Sequence, residues 1–200
     1  MESYEVAALP RAVALAVSGF GMIVALGWMA GYTILSTFGE GNVSMKFSTA
    51  VCFILTAWLF SARREETRFA FGAGIIMIMS TSIMGFYSWD TASHYSIAPG
   101  VPSIATAGLF FLMVFSAWWN QSMAFTGTAA TAVSALALFG YLVGNPALYY
   151  FQPGISSGMA IPTALLFMAL GLGILWNQLS DHESTYDYIP MHIKKESSEP

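Results

Sequence analysis

Two residues with acid–base potential lie between the third and fourth apolar segments of the chain. Asp90 and His94 fall within 89–95, and their i, i+4 spacing would place them on one helix face if the third helix continued that far. A carboxylate and an imidazole so placed could form half of a metal site or transfer protons. A zinc site needs three or four ligands, and no other His or Cys is available on that side. We therefore predict no metal, and take Trp89, Asp90, His94 and Tyr95 as candidates for binding a ligand or partner.

The remaining histidines, His182 and His192, lie in a polar C-terminal segment. Because no histidine falls inside an apolar segment, a b-type haem with two His ligands is argued against. No ionisable residue lies deep in an apolar segment, and only Lys46 lies near the outer end of the second. Because intramembrane charge is the usual mark of ion-coupled transport, its absence argues against a pump or a proton-coupled carrier. No phosphate-binding loop, nucleophile elbow or metalloprotease motif occurs. We predict no enzyme activity and no cofactor, and leave open whether a pigment or lipid is bound.

The composition indicates which elements must position these residues. Of the 200 residues, 56% are hydrophobic and only 9% are charged, with a mean hydropathy of +0.62. An ordinary soluble domain is about 25% charged and cannot hide this much apolar surface. The net charge is −4, which argues against a nucleic-acid partner. These values are typical of an all-α integral membrane protein whose solvent is the lipid bilayer.

A short pattern, Thr-Ala-x-x-Phe, occurs three times at a constant interval of 57 residues, beginning at Thr49, Thr106 and Thr163. The sequence Trp-Asn-Gln repeats at the same interval, at 119–121 and 176–178. Two interpretations of the threonines follow. Each hydroxyl could bond its own helix or a neighbour in a shared packing arrangement, or the three could converge on an axis and line a small polar pocket.

Six segments are long and apolar enough to suggest membrane spans of about 20 residues. They are 12–36, 45–62, 69–88, 102–119, 123–144 and 158–177. Two spans in each unit would give three tandem parallel helical hairpins of about 57 residues, at about 12–62, 69–119 and 123–177. We thus expect a six-helix transmembrane domain over 1–179 and a polar cytoplasmic tail over 180–200.

The positions of Lys and Arg predict the orientation of these spans. Six of the seven fall on the side of the two termini and the short hinges, and one, Lys46, falls on the other. The six are Arg11, Arg63, Arg64, Arg68, Lys194 and Lys195. By the positive-inside rule both termini are cytoplasmic, and we expect the bacterial inner membrane. The three longer loops then face outward, where Tyr149 and Tyr150 join the candidate binding residues.

The third copy of the pattern carries a family resemblance. Residues 159–171, MAIPTALLFMALG, are similar to a recurring "M-x-x-(P/N)-T-A-L-x-F-L-L-x-G-L" segment in the N-terminal membrane modules of bacterial sensor histidine kinases and diguanylate cyclases. Residues 45–53 and 102–110 are weaker versions of it. The resemblance implies a multi-span input or anchoring module. It implies no catalytic residue, and we expect the module to lack the output domain of those proteins, since about 20 residues follow the last predicted span.

These observations predict a non-catalytic membrane module that acts through a partner protein. It would sense a small or lipophilic molecule from the outer leaflet, or dock to another membrane protein. The first alternative is a structural accessory subunit of a larger respiratory or photosynthetic complex. The second is a small-solute channel or carrier through the centre of the three hairpins.

Overall fold

The computed structural model describes residues 9–32, 34–39, 42–88, 102–119, 123–150 and 157–187, with the side chains of 85–88 and 180–187 left out. Every secondary-structure element among these residues is a helix. The long helices are α1 (Arg11–Met29), α3 (Phe47–Ser61), α4 (Glu65–Ser88), α5 (Ile104–Trp119), α6 (Met123–Leu142) and α8 (Ile161–Asp187). Two helices of one turn, α2 (Ile34–Thr37) and α7 (Ala147–Tyr150), lie in the connections before α3 and α8.

Four of the helices are long and apolar enough to cross a membrane. They are α1, α6, the Glu65–Met84 part of α4 and the Ile161–Leu179 part of α8. The other two predicted spans, α3 and α5, are apolar but have only 15 and 16 residues. At about 1.5 Å per residue they are about 22–24 Å long, shorter than a hydrocarbon layer of about 30 Å. The part of the chain that the structure describes is therefore all-helical, with four candidate spans by length and two shorter apolar helices.

The first helix ends earlier than the predicted span of 12–36. It stops at Met29 because Gly31 adopts a left-handed conformation, with a φ of 78°, that few other residues tolerate. The Tyr32 N–H then donates to the Gly27 carbonyl at 2.8 Å, and the Gly31 N–H donates to the Trp28 carbonyl at 3.3 Å. This pair of bonds is the Schellman motif, which satisfies carbonyls that a helix end would leave exposed.

The last helix runs further than the predicted span of 158–177. It continues to Asp187, so the start of the segment predicted as a polar tail is helical. Pro162 in its first turn causes no break, because the N–H that proline lacks would have no partner there anyway.

Three helices, α3, α5 and α8, form the centre of the bundle, and each remaining long helix packs against two of them. Thus α1 contacts α3 and α8, α4 contacts α5 and α3, and α6 contacts α8 and α5. The segments leading into α3 and α8 are adjacent, since a Cβ placed on Gly158 would lie 3.0 Å from Val43 Cγ2. We call this end of the bundle the loop end. The opposite end, where α3 connects to α4, is the hinge end.

The core centres on three phenylalanines, one from each central helix. Phe53, Phe110 and Phe167 are fully buried. Their ring centroids are 4.9 Å apart for Phe53–Phe110, 4.6 Å for Phe53–Phe167 and 4.8 Å for Phe110–Phe167. These separations, with interplanar angles of 56–64°, lie in the favourable range for aromatic pairs. The Phe of all three sequence copies therefore meets at one point, the phenylalanine cluster.

Glycines allow the outer helices to approach the central ones closely. A Cβ on Gly72 of α4 would lie 2.6 Å from Trp118 Nε1 of α5, and a Cβ on Gly127 of α6 would lie 2.9 Å from Leu175 Cγ of α8. Both distances are shorter than a van der Waals contact, so an added Cβ would force the neighbouring side chain to shift. Small residues of this kind are what membrane helices use to pack. A glycine of an outer helix thus lies against a side chain of a central helix in two helix pairs, α4–α5 and α6–α8.

The phenylalanine cluster predicts a matched set of stability changes. Phe53→Ala, Phe110→Ala and Phe167→Ala should each lower the free energy of unfolding by a similar amount. Because lipid tails are about as apolar as the protein interior, the loss is mainly that of packing, and we put it at about 2–3 kcal/mol. Reversible unfolding in mixed micelles, followed by circular dichroism, measures it.

The control for this experiment is Phe125→Ala, at a phenylalanine of α6 that is 65% exposed, which should change stability by less than about 0.5 kcal/mol. Double substitutions within the cluster should cost less than the sum of the single ones, because the first removal already deprives the second ring of a partner. Strict additivity would contradict a single shared cluster.

Candidate functional site

The repeated threonines lie one helical turn from the phenylalanine cluster, toward the loop end. Each occupies the third position of its helix, four residues before the phenylalanine. Thr49, Thr106 and Thr163 are all buried, at no more than 2% exposure. They therefore occupy equivalent positions at the starts of the three central helices.

The hydrogen bonds of Thr106 show how one of these positions is used. Its hydroxyl lies 2.7 Å from the Ser103 hydroxyl, and its backbone N–H donates to Ser103 Oγ at 3.1 Å. Ser103 precedes the first residue of α5, so this is an N-cap that satisfies a free N–H of the helix. The contact agrees with the packing interpretation for the second copy. The polar-pocket interpretation of the three threonines stays a prediction.

In two outer helices, α1 and α6, an aromatic side chain near the helix end donates a hydrogen bond to the segment that enters the next central helix. Trp28 Nε1 donates to the Met45 carbonyl at 2.8 Å, and the Tyr141 hydroxyl donates to the Met159 carbonyl at 2.9 Å. Met45 and Met159 each stand four residues before the repeated threonine, and both are buried. A buried carbonyl without a donor is costly in an apolar medium. These side chains therefore fix the paths of the first and third loops.

The backbones of the same two loops follow one plan. Gly144 repeats the left-handed conformation of Gly31, with a φ of 68°, and the Asn145 N–H donates to the Gly140 carbonyl at 2.8 Å. The one-turn helices α2 and α7 come next. The Met45 N–H then donates to the Ser36 carbonyl of α2, and the Met159 N–H donates to the Tyr149 carbonyl of α7, both at 2.7 Å.

Three tyrosines of α6 and α7 gather at the loop end, and we call them the tyrosine cluster. The rings of Tyr141 and Tyr149 stack with centroids 3.9 Å apart and an angle of 8°. Tyr150 follows at 5.1 Å from Tyr149. All three are half-buried. The structure thus brings together the two predicted residues, Tyr149 and Tyr150, and adds Tyr141, which was not among the predicted binding residues.

The other predicted loop residues, Trp89, Asp90, His94 and Tyr95, lie outside the described part of the chain. Within the described part, no group of three or more His, Cys, Asp or Glu side chains could hold a metal ion. The tyrosine cluster is therefore the candidate site that the structure defines. Its phenol rings offer flat apolar faces and polar hydroxyl groups, a combination suited to amphipathic ligands or to another protein.

Comparisons of the chain with protein-family profiles, with curated proteins and with solved structures give no match. The interpretation of this site consequently rests on its own geometry.

The bond from Tyr141 to Met159 predicts a local change in loop stability. Tyr141→Phe keeps the stacked ring but leaves the buried Met159 carbonyl without its donor, which should cost about 1 kcal/mol. Because this bond joins α6 to the segment entering α8, hydrogen exchange at the Met159 N–H should accelerate about fivefold. Hydrogen–deuterium exchange with mass spectrometry of the protein in nanodiscs would detect it.

The matched control is Tyr32→Phe, since Tyr32 is 71% exposed at the corresponding end of α1. It should leave exchange in both loops unchanged. An equal acceleration by the two substitutions would show that the Tyr141 bond does not hold the third loop in place.

Proposed function

We propose that the chain folds as three tandem parallel hairpins, α1–α3, α4–α5 and α6–α8, with six membrane spans. The threefold packing order of outer and central helices supports this arrangement, as does the meeting of three equivalent phenylalanines. The two short helices, α3 and α5, are both central. Their neighbours cover much of their surface, so they need less length than a helix that faces lipid on all sides.

In this arrangement the hinge end and both termini are cytoplasmic, the loop end faces outward, and the membrane is a bacterial inner membrane. The described residues place Arg11, Arg63, Arg64 and Arg68 at or next to the hinge-end termini of α1 and α4. Lys46 alone stands at the loop end, directly before α3. This asymmetry supports the positive-inside orientation.

Cysteine labelling tests the orientation. Cys52 is the only cysteine in the chain and is buried, so an added exposed cysteine reports its own side of the membrane. Leu35→Cys, in α2, should react with a membrane-impermeant maleimide in intact spheroplasts. Thr67→Cys, exposed in the first turn of α4, should react only after permeabilisation. The reverse pattern would overturn the proposed orientation.

For function, we propose a non-catalytic membrane module that binds at its loop end and acts through a partner membrane protein. The observation that carries this proposal is the contrast between the two parts of the bundle. The centre is closed and nearly uniform, whereas the tyrosine cluster is a half-buried aromatic surface that the first hairpin lacks at the corresponding place. Sites of recognition are enriched in such tyrosines. The resemblance to sensor modules of kinases and cyclases agrees with an input role.

A structural accessory subunit of a respiratory or photosynthetic complex is the alternative. It would use the same aromatic surface to dock permanently rather than to respond. A channel along the central axis is less favoured, because the phenylalanine cluster occupies that axis with three fully buried rings.

Site-specific photocrosslinking tests the binding proposal. Benzoylphenylalanine at position 150 should give a discrete protein adduct in native membranes, because that position lies in the tyrosine cluster. The control is the same probe at position 125, which is exposed on the hinge-end part of α6 and should contact mainly lipid. Tyr149→Ser should abolish the adduct at position 150 if the cluster forms the contact.

The outcomes separate the candidates. A protein adduct at position 150 that appears or disappears with an added lipophilic effector supports the sensory role, and co-purification with a coloured redox complex supports the accessory role. Lipid adducts alone at both positions would contradict a partner at the tyrosine cluster.

A further inference from the structure

Cationic side chains concentrate at one corner of the hinge end. Arg63 and Arg64 are exposed in the connection between α3 and α4, and Arg68 is half-buried in the first turn of α4. Glu65 and Glu66 are exposed between them, so the segment carries three positive and two negative charges. Both glutamates lie at the start of α4, where negative side chains offset the helix dipole.

Arg68 is held in a defined position but keeps donor capacity. Its Nη2 donates to the Ala62 carbonyl, at the end of α3, at 3.4 Å. Its Nε is buried and has no hydrogen-bond partner in the part of the chain that the structure describes. A guanidinium group carries five N–H donors in a planar fork, which matches the oxygens of a phosphate.

A second buried donor without a partner lies on α5, which packs against α4. Trp118 Nε1 is buried and unpaired within the described residues, although a buried indole N–H usually finds an acceptor. The Trp118 ring covers Gly72, which is one helical turn beyond Arg68 on the same face of α4. It also stacks on Phe69, with centroids 4.8 Å apart. Both unpaired donors therefore lie where the ends of α4 and α5 meet.

The surface around this corner is suited to lipid chains. Trp58, Phe69 and Trp119 are 55%, 61% and 64% exposed, and aromatic rings prefer the boundary between hydrocarbon and headgroups. A ligand bound here must therefore offer a negative, oxygen-rich group to the arginines and an apolar body to the rings. A phospholipid with an anionic headgroup has both.

We propose that the corner formed by Arg63, Arg64, Arg68 and Trp118 binds the headgroup of an anionic phospholipid. The exposed arginines attract the phosphate, and a headgroup oxygen enters between α4 and α5 to accept from Arg68 and Trp118. Basic pockets between membrane helices are known to hold such headgroups. The entry between helices distinguishes this site from the general attraction of arginines to a charged membrane.

Native mass spectrometry of the full chain tests the proposal, with phosphatidylglycerol and phosphatidylcholine of identical acyl chains as probes. The wild-type protein should retain one phosphatidylglycerol in preference to phosphatidylcholine. Arg68→Gln should weaken this retention about fivefold, and the pair Arg63→Gln and Arg64→Gln about 25-fold, given the typical attraction per basic residue. Trp118→Phe, which keeps a stacked ring and removes the donor, should also weaken it.

Controls identify each way in which the proposal could be wrong. Arg11→Gln removes an exposed cytoplasmic charge at the start of α1 and should leave retention unchanged; an equal loss would indicate surface attraction only. Unchanged retention in Trp118→Phe would overturn entry between the helices.

Thermal stabilisation by inorganic phosphate as large as that by phosphatidylglycerol would identify a free-anion site instead. Arg68→Lys keeps the positive charge that Arg68→Gln removes. If Arg68→Lys retains phosphatidylglycerol while its folding defect equals that of Arg68→Gln, the loss of retention in Arg68→Gln reflects lost binding and not lost stability.

Discussion

The arrangement of the bundle depends on the contact among three phenylalanine rings. A membrane interior provides little hydrophobic force between helices, so helix association relies on close packing and hydrogen bonds. Phe53, Phe110 and Phe167 meet pairwise with centroids less than 5 Å apart, which fixes the height and rotation of α3, α5 and α8 together. The alanine that follows each repeated threonine is also buried and lets the neighbouring backbone approach. Once the central helices are placed, the grooves between them determine where α1, α4 and α6 can lie.

The ends of the helices obey a second constraint, since a backbone N–H or C=O without a partner is expensive near hydrocarbon. The first and third loops meet it with the same devices: a left-handed glycine, a Schellman motif, a one-turn helix and an aromatic donor to a methionine carbonyl. Trp28 and Tyr141 supply the donors. At the start of α5, the Ser103–Thr106 cap provides a different solution. The proposed hairpins therefore share the phenylalanine contact, and the described segments at the starts of α3, α5 and α8 are held by different hydrogen bonds.

Much of the helical pattern could be predicted from the sequence, because each apolar run is bounded by polar hinges or by Gly and Pro. Helices α3 to α6 begin and end within four residues of the predicted spans. The prediction for α1 was too long because the apolar run continues past Gly31, where local turn geometry, not hydrophobicity, ends the helix. The prediction for α8 was too short because polarity after Leu179 does not stop a helix that contains no glycine or proline there. The role of Tyr141 could not be predicted, since its acceptor is 18 residues away and meets it only after the hairpin has formed.

The centre of the bundle uses the same residue three times, whereas the residues at its two ends differ from one copy to the next. This difference indicates where a ligand or partner could bind. A residue that recurs in three copies at a buried position is sufficiently explained by shared packing, as the phenylalanines show. Recognition requires something that is not the same in every copy, because a ligand or partner must select one face of the bundle. The tyrosine cluster meets that requirement at the loop end of the third hairpin. The corner formed by Arg63, Arg64, Arg68 and Trp118 meets it at the hinge end, since the positions 57 residues after and before Trp118 hold Leu175 and Ser61. Leu175 carries no side-chain donor and the Ser61 hydroxyl donates to the Ala57 carbonyl, so of the three positions only Trp118 offers an indole N–H to a headgroup oxygen.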